Sequence, residues 1–390
     1  MLKRLIATIT PFIACMAMHA QETCVINGHI TDLELENGKK VKKVYLMQTD
    51  EFGRKKEMGT AKVKKGMYTF KYDMAKNEPI TMYTIEGFGN NAIELFVEPG
   101  NITVNTEKAA QPLRSKVSGT PVNDTFSEYK EIYTLSEERV ADALTSLERQ
   151  NGKDWLESKE GKNAIKRAEA TEKIKTESEI IRFLIDHNDS PMTPLEMERK
   201  VMPNLSIAYA EQMVKSIAVP LHDHPYFLSF RNAFLARNLK VGNEIPDISL
   251  HMQDGCIKRI SDYRGKYILL DFWKSTCDCS VEERAEIRRL YDIIKEKQEQ
   301  FAIVSISLDE NDIEWKNAIK NNGMDYENWG HGRDHAGKKS AAVLLGVEET
   351  PRMVLVDPEG RAISLDMKSE EVVERVEQIL AGDLYYLDQE

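Results

Sequence analysis

The amino-acid sequence predicts an all-β sandwich-like module, then a helical segment, then an α/β domain that starts at residue 241. Three observations carry this reading. Between residues 22 and 118, short β-rich runs are separated by turn residues at regular intervals. Between residues 122 and 238, Glu, Lys, Ala, Leu and Ile dominate, glycine is scarce, and apolar residues recur at helical spacing. Beyond residue 241, nearly continuous apolar runs alternate with helical patterns, as in an α/β sheet. A chain of 390 residues exceeds one ordinary domain of roughly 100–200 residues. The predicted parts are a leader over 1–20, a β-rich module over 21–118, a helical segment over 119–238 and the α/β domain over 241–390.

The first segment reads as an export signal. Met1-Leu2-Lys3-Arg4 is a short basic start, Leu5 to Ala14 is mostly apolar, and Met18-His19-Ala20 ends on a small residue. Cleavage after Ala20 removes Lys3 and Arg4 from the 53 basic residues, leaving 51 against 64 acidic ones. Phe12-Ile13-Ala14-Cys15 is a lipobox-like string, but Phe12 stands where leucine is usual, so cleavage after Ala20 is favoured. Membrane association follows only if Cys15 carries a lipid. No later stretch reaches ~18 unbroken apolar residues, so no transmembrane helix is expected. The predicted location is the periplasm or cell envelope. The acidic balance, with no dense Lys/Arg run, excludes nucleic acid as a partner.

In the β-rich module the predicted strands are Thr23 to Thr31, Lys43 to Gln48, Met67 to Tyr72, Ile80 to Glu86, Ala92 to Val97 and Ile102 to Asn105. Gly53, Lys64-Lys65-Gly66, Gly87 to Asn91 and Pro99-Gly100 punctuate them. Three or four amphipathic helices follow, with breaks at Asp189-Ser190-Pro191 and Val219-Pro220. Tyr226, Phe227, Phe230 and Phe234 are read as packing residues rather than a ligand groove.

The α/β domain opens on a turn-rich stretch, Val241 to Asp247, and a hairpin about Asp254-Gly255. Tyr267 to Trp273 and Phe301 to Leu308 read as buried strands. Ser280 to Lys297, Asp312 to Asn321, Lys338 to Leu345 and Val372 to Ala381 read as helices. Arg352 to Val356 and Ala362 to Leu365 form a hairpin across Asp357 to Gly360.

The chemistry concentrates in Leu270-Asp271-Phe272-Trp273-Lys274-Ser275-Thr276-Cys277-Asp278-Cys279-Ser280. A strand ends, a turn carries two cysteines, and a helix begins. Backbone N–H groups at a helix start favour a thiolate, and the thiolate is the form that attacks disulfides. A carboxylate inside the apolar strand, Asp271, should have a raised pKa because burial disfavours its charge.

Several ordered motifs resemble the exported thioredoxins of the TlpA/ResA type, within the AhpC/TSA-redoxin superfamily. They are Val241 to Asp247, Leu269-Leu-Asp-Phe-Trp273, a cysteine four residues after the tryptophan, and Glu349-Thr350-Pro351. The resemblance covers about residues 241–385 and implies a thioredoxin-like fold. The β-rich front with its helical middle resembles the uncharacterised module often fused to such proteins. The implied activity is thiol–disulfide exchange on exported proteins with disulfides or thiols, coupled to an envelope reductant or oxidant, without metal or cofactor. The resemblance makes Cys277 the nucleophile and Asp271 the buried acid that relays a proton to the resolving thiol. It makes Pro351 a cis-proline and places Thr350, Pro351 and Trp273 against the substrate.

One departure matters. The family has Cys-x-x-Cys, whereas here Ser280 holds the second cysteine's position and Cys279 comes one residue early. Residues two apart on a helix do not face each other, so a Cys277–Cys279 bond would distort the first turn, and strained disulfides are the more oxidising ones. Three readings stay open: an oxidising or isomerising pair, a monothiol at Cys277 resolved by an external thiol, or a redox-inactive binding or scaffold protein of the envelope. A peroxidase is disfavoured, since Lys274 stands where that signature has Thr or Ser and no proline precedes it. Cys24 and Cys256 read as ordinary strand or turn thiols, with Cys256 a conceivable resolving partner. His331 and His335 with Asp334 read as a solvated Gly-rich loop rather than a metal site. No Cys-x-x-Cys-His is present for haem attachment.

Overall fold

The structure is a computed structural model. It describes residues 22–50, 53–276, 280–327, 329–334, 337 and 339–384, and only the backbone of residues 280–282 and 370. The expected leader with Cys15, the pair Cys277 and Cys279, and His335 lie outside the described residues. The chain divides into two compact units, residues 1–47 with 57–124, and residues 48–56 with 125–390.

The first region is a β-sandwich. Its strands are β1 (Glu22–Asp32), β2 (Lys43–Thr49), β3 (Lys55–Lys62), β4 (Met67–Met74), β5 (Thr81–Phe88), β6 (Asn91–Val97), β7 (Gly100–Lys108) and β8 (Lys116–Ser118). They form two four-stranded sheets, β4-β1-β7-β8 and β3-β2-β5-β6. Alternate residues of both sheets meet in one core, among them Ile26 and Ile30 of β1, Leu46 of β2, Ile85 of β5, Leu95 of β6 and Val104 of β7. That alternation is the period-two pattern of a half-buried strand. Cys24 is fully buried in this core, and burial pushes its thiol up to about 11.

Gly28 on β1 pairs with Tyr68 on β4. The buried tyrosine ring lies over the glycine, so that a Cβ at position 28 would come within 1.9 Å of Tyr68 Cζ. Gly28→Ala should therefore destabilise the protein by about 1–3 kcal/mol through overpacking, read as a lowered midpoint of urea unfolding. An unchanged midpoint would mean that the ring swings aside at no cost.

The helical region comprises α1 (Pro121–Asn151), α2 (Lys153–Leu156), α3 (Lys159–Asp186), α4 (Met192–Glu196), α5 (Ile207–Ser216) and α6 (Pro225–Arg237), with short 3₁₀ and π turns between α4 and α6. Ser158 caps α3, its Oγ accepting from Gly161 N–H at 3.0 Å. Such a cap satisfies a donor that the helix start leaves open. The two expected breaks fall between α3 and α4 and in a 3₁₀ turn at 219–221. Phe227, Phe230 and Phe234 are buried, which makes them packing residues.

The last region holds β9 (Ser249–Met252), β10 (Ile257–Arg259), β11 (Tyr267–Trp273), α7 (Ser280–Ile294), β12 (Phe301–Ser307), α8 (Asp312–Asn321), β13 (Trp329–Arg333), α9 (Ala341–Leu344), β14 (Arg352–Val356), β15 (Ala362–Met367) and α10 (Ser369–Leu380). Its seven-stranded sheet has the order β10-β9-β13-β12-β11-β14-β15. Strands β11, β12 and β13 run parallel, and β14 is antiparallel to β11. Alternate residues serve opposite faces. Leu269, Trp273 and Ile303 pack with Leu290 of α7, Trp315 of α8 and Val376 of α10. Ile268, Leu270 and Val304 pack on the other side with Leu250 and Ala341.

Strand β13 corrects one expectation. His331 does not sit in a solvated loop: it is a buried strand residue. The sequence Trp-Gly-His-Gly-Arg hides the strand because its glycines answer a packing need. A Cβ at Gly332 would lie 3.0 Å from Leu250 Cβ on the neighbouring β9.

Candidate functional site

The candidate site lies at the C-terminal end of β11, where the chain leaves the sheet toward the cysteine segment that precedes α7. Asp271 and Trp273 alternate onto the same face of β11. Asp271 is 2 % exposed, and register pairs it with Ser305 of β12 and Met353 of β14. Ser305 in turn pairs with His331 of β13, so three polar side chains stand in one row across this face of the sheet.

Within that row, Ser305 Oγ donates to Asp271 Oδ2 at 2.7 Å. The Trp329 indole N–H donates to the same Ser305 oxygen at 2.9 Å. Burial pushes Asp271 up to about 6; the Ser305 hydrogen bond and the Arg284 charge oppose that rise. Glu283, at the start of α7, is raised by partial burial and then by the neighbouring Asp271 charge. His331 is held below its ordinary value by burial. It shares a 2.9 Å hydrogen bond with the Met324 carbonyl through Nε2.

Arg284 was not singled out by the sequence, yet it is central here. It is only 5 % exposed, and its guanidinium sits 4.4 Å from the centre of the Trp273 ring. One Nη donates to Met324 Sδ at 3.1 Å. Burial pulls its pKa down, while Asp271 and Asp309 hold it up. Trp273, expected to face a substrate, is itself only 2 % exposed and so forms the packed floor under the turn. The signal that could have found Arg284 is its place on α7, one turn inside the helix and on the side that carries Ile287 and Leu290 into the core.

The loop after β11 is held from β12. The Ser275 N–H and Oγ both donate to the buried Asp309 carboxylate, at 3.1 and 2.9 Å. Ser307 Oγ also donates to it, at 2.7 Å. These contacts fix the path of residues 274–276 immediately before the cysteine segment, whose own geometry lies outside the described residues.

The peptide bond Thr350–Pro351 is cis. Pro351 precedes β14, and the pair Phe272↔Arg352 puts it at the same end of the sheet as the exit from β11. Asp271, Trp273, Thr350 and Pro351 thus converge on one end of the domain. Cys256 does not. It sits in the β9–β10 turn, exposed. Met252 pairs with Gly332 on a strand antiparallel to β13, so the residues after Met252 lie toward the N-terminal ends of β11 to β13. The neighbouring Asp254 raises its pKa through a hydrogen bond. A cavity of about 400 Å³ lies toward that same opposite end, lined by Lys258, Tyr263, Lys266 and Trp329. Among the described residues, no group of three His, Cys, Asp or Glu is placed to hold a metal ion, and no helix is long and apolar enough to cross a membrane.

This sheet, with helices on both faces and a cis-proline opposite the strand that leads into two cysteines, defines a thioredoxin-like domain. Residues 265–362 match the family model described as Thioredoxin-like, and residues 24–126 match a domain of unknown function, DUF4369. Among curated relatives, the thiol-disulfide oxidoreductase ResA of Bacillus thuringiensis is 27% identical over 144 residues, 36% of this chain and 78% of that protein. A thiol-disulfide oxidoreductase structure from Bacteroides fragilis is 30% identical, covering 35% of this chain and 99% of that one, with a TM-score of 0.32. The thioredoxin domain of a thiol-disulfide oxidoreductase from Bacteroides vulgatus is 26% identical, covering 36% of this chain and 98% of that one, also with a TM-score of 0.32. The C-terminal region is therefore a thioredoxin-like domain with ResA-type thiol-disulfide oxidoreductase homologues, preceded by a DUF4369 module.

Proposed function

We propose that this protein is an envelope thiol–disulfide oxidoreductase that acts on disulfides of exported proteins through Cys277. The Cys277 thiolate attacks one sulfur of a substrate disulfide. A mixed disulfide forms, and the substrate's other sulfur leaves as a thiolate and takes up a proton. Cys279, or an external thiol, then attacks Cys277 and releases the second substrate sulfur, so that the pair of electrons passes from the attacking thiols to the substrate. Run in reverse, the same steps oxidise a dithiol.

The observation that carries the reading is Asp271. It is a buried carboxyl whose pKa is pushed up to about 6, on the strand that delivers the chain to the cysteine segment. A group that changes protonation near neutral pH, on the strand that leads into the cysteine segment, is suited to hold and return the proton that each exchange step moves. Thr350 and Pro351 supply backbone to an extended substrate segment, and Trp273 shapes the floor beneath it.

The test is intact-mass thiol counting on the mature protein across glutathione redox buffers, with peptide mapping of Cys277 and Cys279. A reversible Cys277–Cys279 bond or a Cys277–glutathione adduct is expected, and its midpoint gives the redox direction. If both thiols stay reduced and unmodified throughout, the oxidoreductase reading falls and the domain is a binding or scaffold module.

A further inference from the structure

Asp271 has a second requirement beyond burial: something must set which way its proton contacts run. Ser305 faces it directly, and the directions of the two hydrogen bonds are fixed by chemistry. An indole nitrogen can only donate, so Trp329 Nε1 occupies a lone pair of Ser305 Oγ at 2.9 Å. The hydroxyl has one proton, and it goes to Asp271 Oδ2 at 2.7 Å.

We propose that Ser305 and Trp329 form a two-residue relay of fixed polarity that positions the Asp271 carboxylate and sets the pH at which it exchanges its proton with the cysteine site. This deepens the oxidoreductase reading and rests on it for its functional half.

The surroundings favour this reading. Trp329 is 4 % exposed and is clamped in a stack, parallel to Tyr326 at 5.9 Å and to His331 at 5.5 Å. Its N–H therefore cannot swing to another acceptor without breaking that stack. Ser305 is fully buried, so no bulk water competes for its hydroxyl. Among the described residues, the charged groups that act on Asp271 are Glu283 and Arg284 on α7; Asp309 after β12 acts on Arg284, and His331 on β13 lies one strand beyond, paired with Ser305. The neighbours from α8, α10 and β14 on this face are apolar, among them Trp315, Val376 and Met353. Among the described residues, the Arg284 charge lowers the Asp271 pKa and the Ser305 hydroxyl donates a hydrogen bond to its carboxylate. In a dry site a hydrogen bond to the ionised form is the stronger for lack of competing solvent.

The experiment is a ¹³C-carboxyl NMR titration of the full mature chain labelled at aspartate, with Asp271 assigned by its disappearance in Asp271→Asn. In wild type the Asp271 signal titrates near pH 6. Ser305→Ala raises that midpoint by about one pH unit, because the carboxylate loses a charge-assisted donor. Trp329→Phe keeps a six-membered aromatic ring in the stack and removes the N–H with the rest of the pyrrole ring; it raises the midpoint by a smaller step. A midpoint unmoved or lowered in Ser305→Ala overturns the proposal, and one unmoved in Trp329→Phe overturns the tryptophan's part in it. The pH midpoint for reaction of Cys277 with oxidised glutathione should move with the carboxyl. A carboxyl midpoint that moves while the exchange midpoint stays put overturns the link to the cysteine site. Absence of any exchange in wild type sinks the oxidoreductase reading instead, and the carboxyl titration still decides the Ser305–Trp329 contact.

Discussion

Cys277→Ser should abolish disulfide exchange, with a loss on the order of 10³-fold or more, because a serine hydroxyl at neutral pH neither ionises nor attacks sulfur as a thiolate does. Cys279→Ser should behave differently. If Cys279 resolves the mixed disulfide, its removal leaves the substrate attached to Cys277, visible as a stable adduct by intact mass. If an external thiol resolves, turnover in Cys279→Ser continues whenever that thiol is supplied. The reading is sunk by a Cys277→Ser protein that reduces or oxidises a model disulfide as fast as wild type. Neither substitution touches Ser305, the partner of Asp271, or Asp309, which holds Ser275, so the comparison is aimed at the sulfur chemistry.

The second large effect is on stability as well as activity. Asp271 is a buried acid whose pKa rises from 3.8 to about 6 on folding. A raised acid binds its proton more tightly in the folded state than in the unfolded one. Below 3.8 both states are protonated and folding costs nothing extra. As pH climbs to about 6 the unfolded chain ionises first and stability drains away. Above that interval the whole penalty is present, about 3 kcal/mol. Asp271→Asn keeps the size and an acceptor for Ser305 but carries no charge. It should gain about that much stability at pH 8 relative to wild type and nothing at pH 3.5, read from urea midpoints across pH. The same variant should lose roughly 10²-fold in exchange rate near neutral pH if Asp271 is the proton carrier. A stability gain with undiminished exchange would leave the carboxyl as a buried cost without a catalytic use. A variant no more stable at pH 8 than wild type would mean that Arg284 already neutralises it.

How far the sequence discloses this protein depends on where side chains carry the signal. The runs Tyr267 to Trp273 and Phe301 to Leu308 announce themselves because both faces of those strands are buried. Thr23 to Thr31 does so by alternation. Strand β3 escapes because it lies at a sheet edge with Ala61 its sole buried residue, so Lys-Lys-Glu-Met-Gly-Thr-Ala-Lys has no apolar face to display. Strand β8 is three residues long and gives no period at all. In β13 the glycines that allow close approach of β9 are the same residues that read as a loop. For the site, Asp271 is legible because a lone carboxylate in an apolar run has few explanations. Arg284 and Ser305 are not, because a charged residue in a charged helix and a serine in a strand look ordinary until the third dimension sets them against Trp273 and Asp271. Trp329 is legible as an aromatic, but not as a donor with a single acceptor.

Cys24 adds a use of its own. Its thiol has no exposed surface and is kept protonated far above neutral pH by that burial. A buried thiol of this kind reacts only when the structure around it opens. It is therefore a native clock on the sandwich: the rate at which an alkylating reagent marks Cys24 in the untouched protein counts openings of the β-rich module alone. Cys256, exposed, marks without any opening and serves as the internal reference.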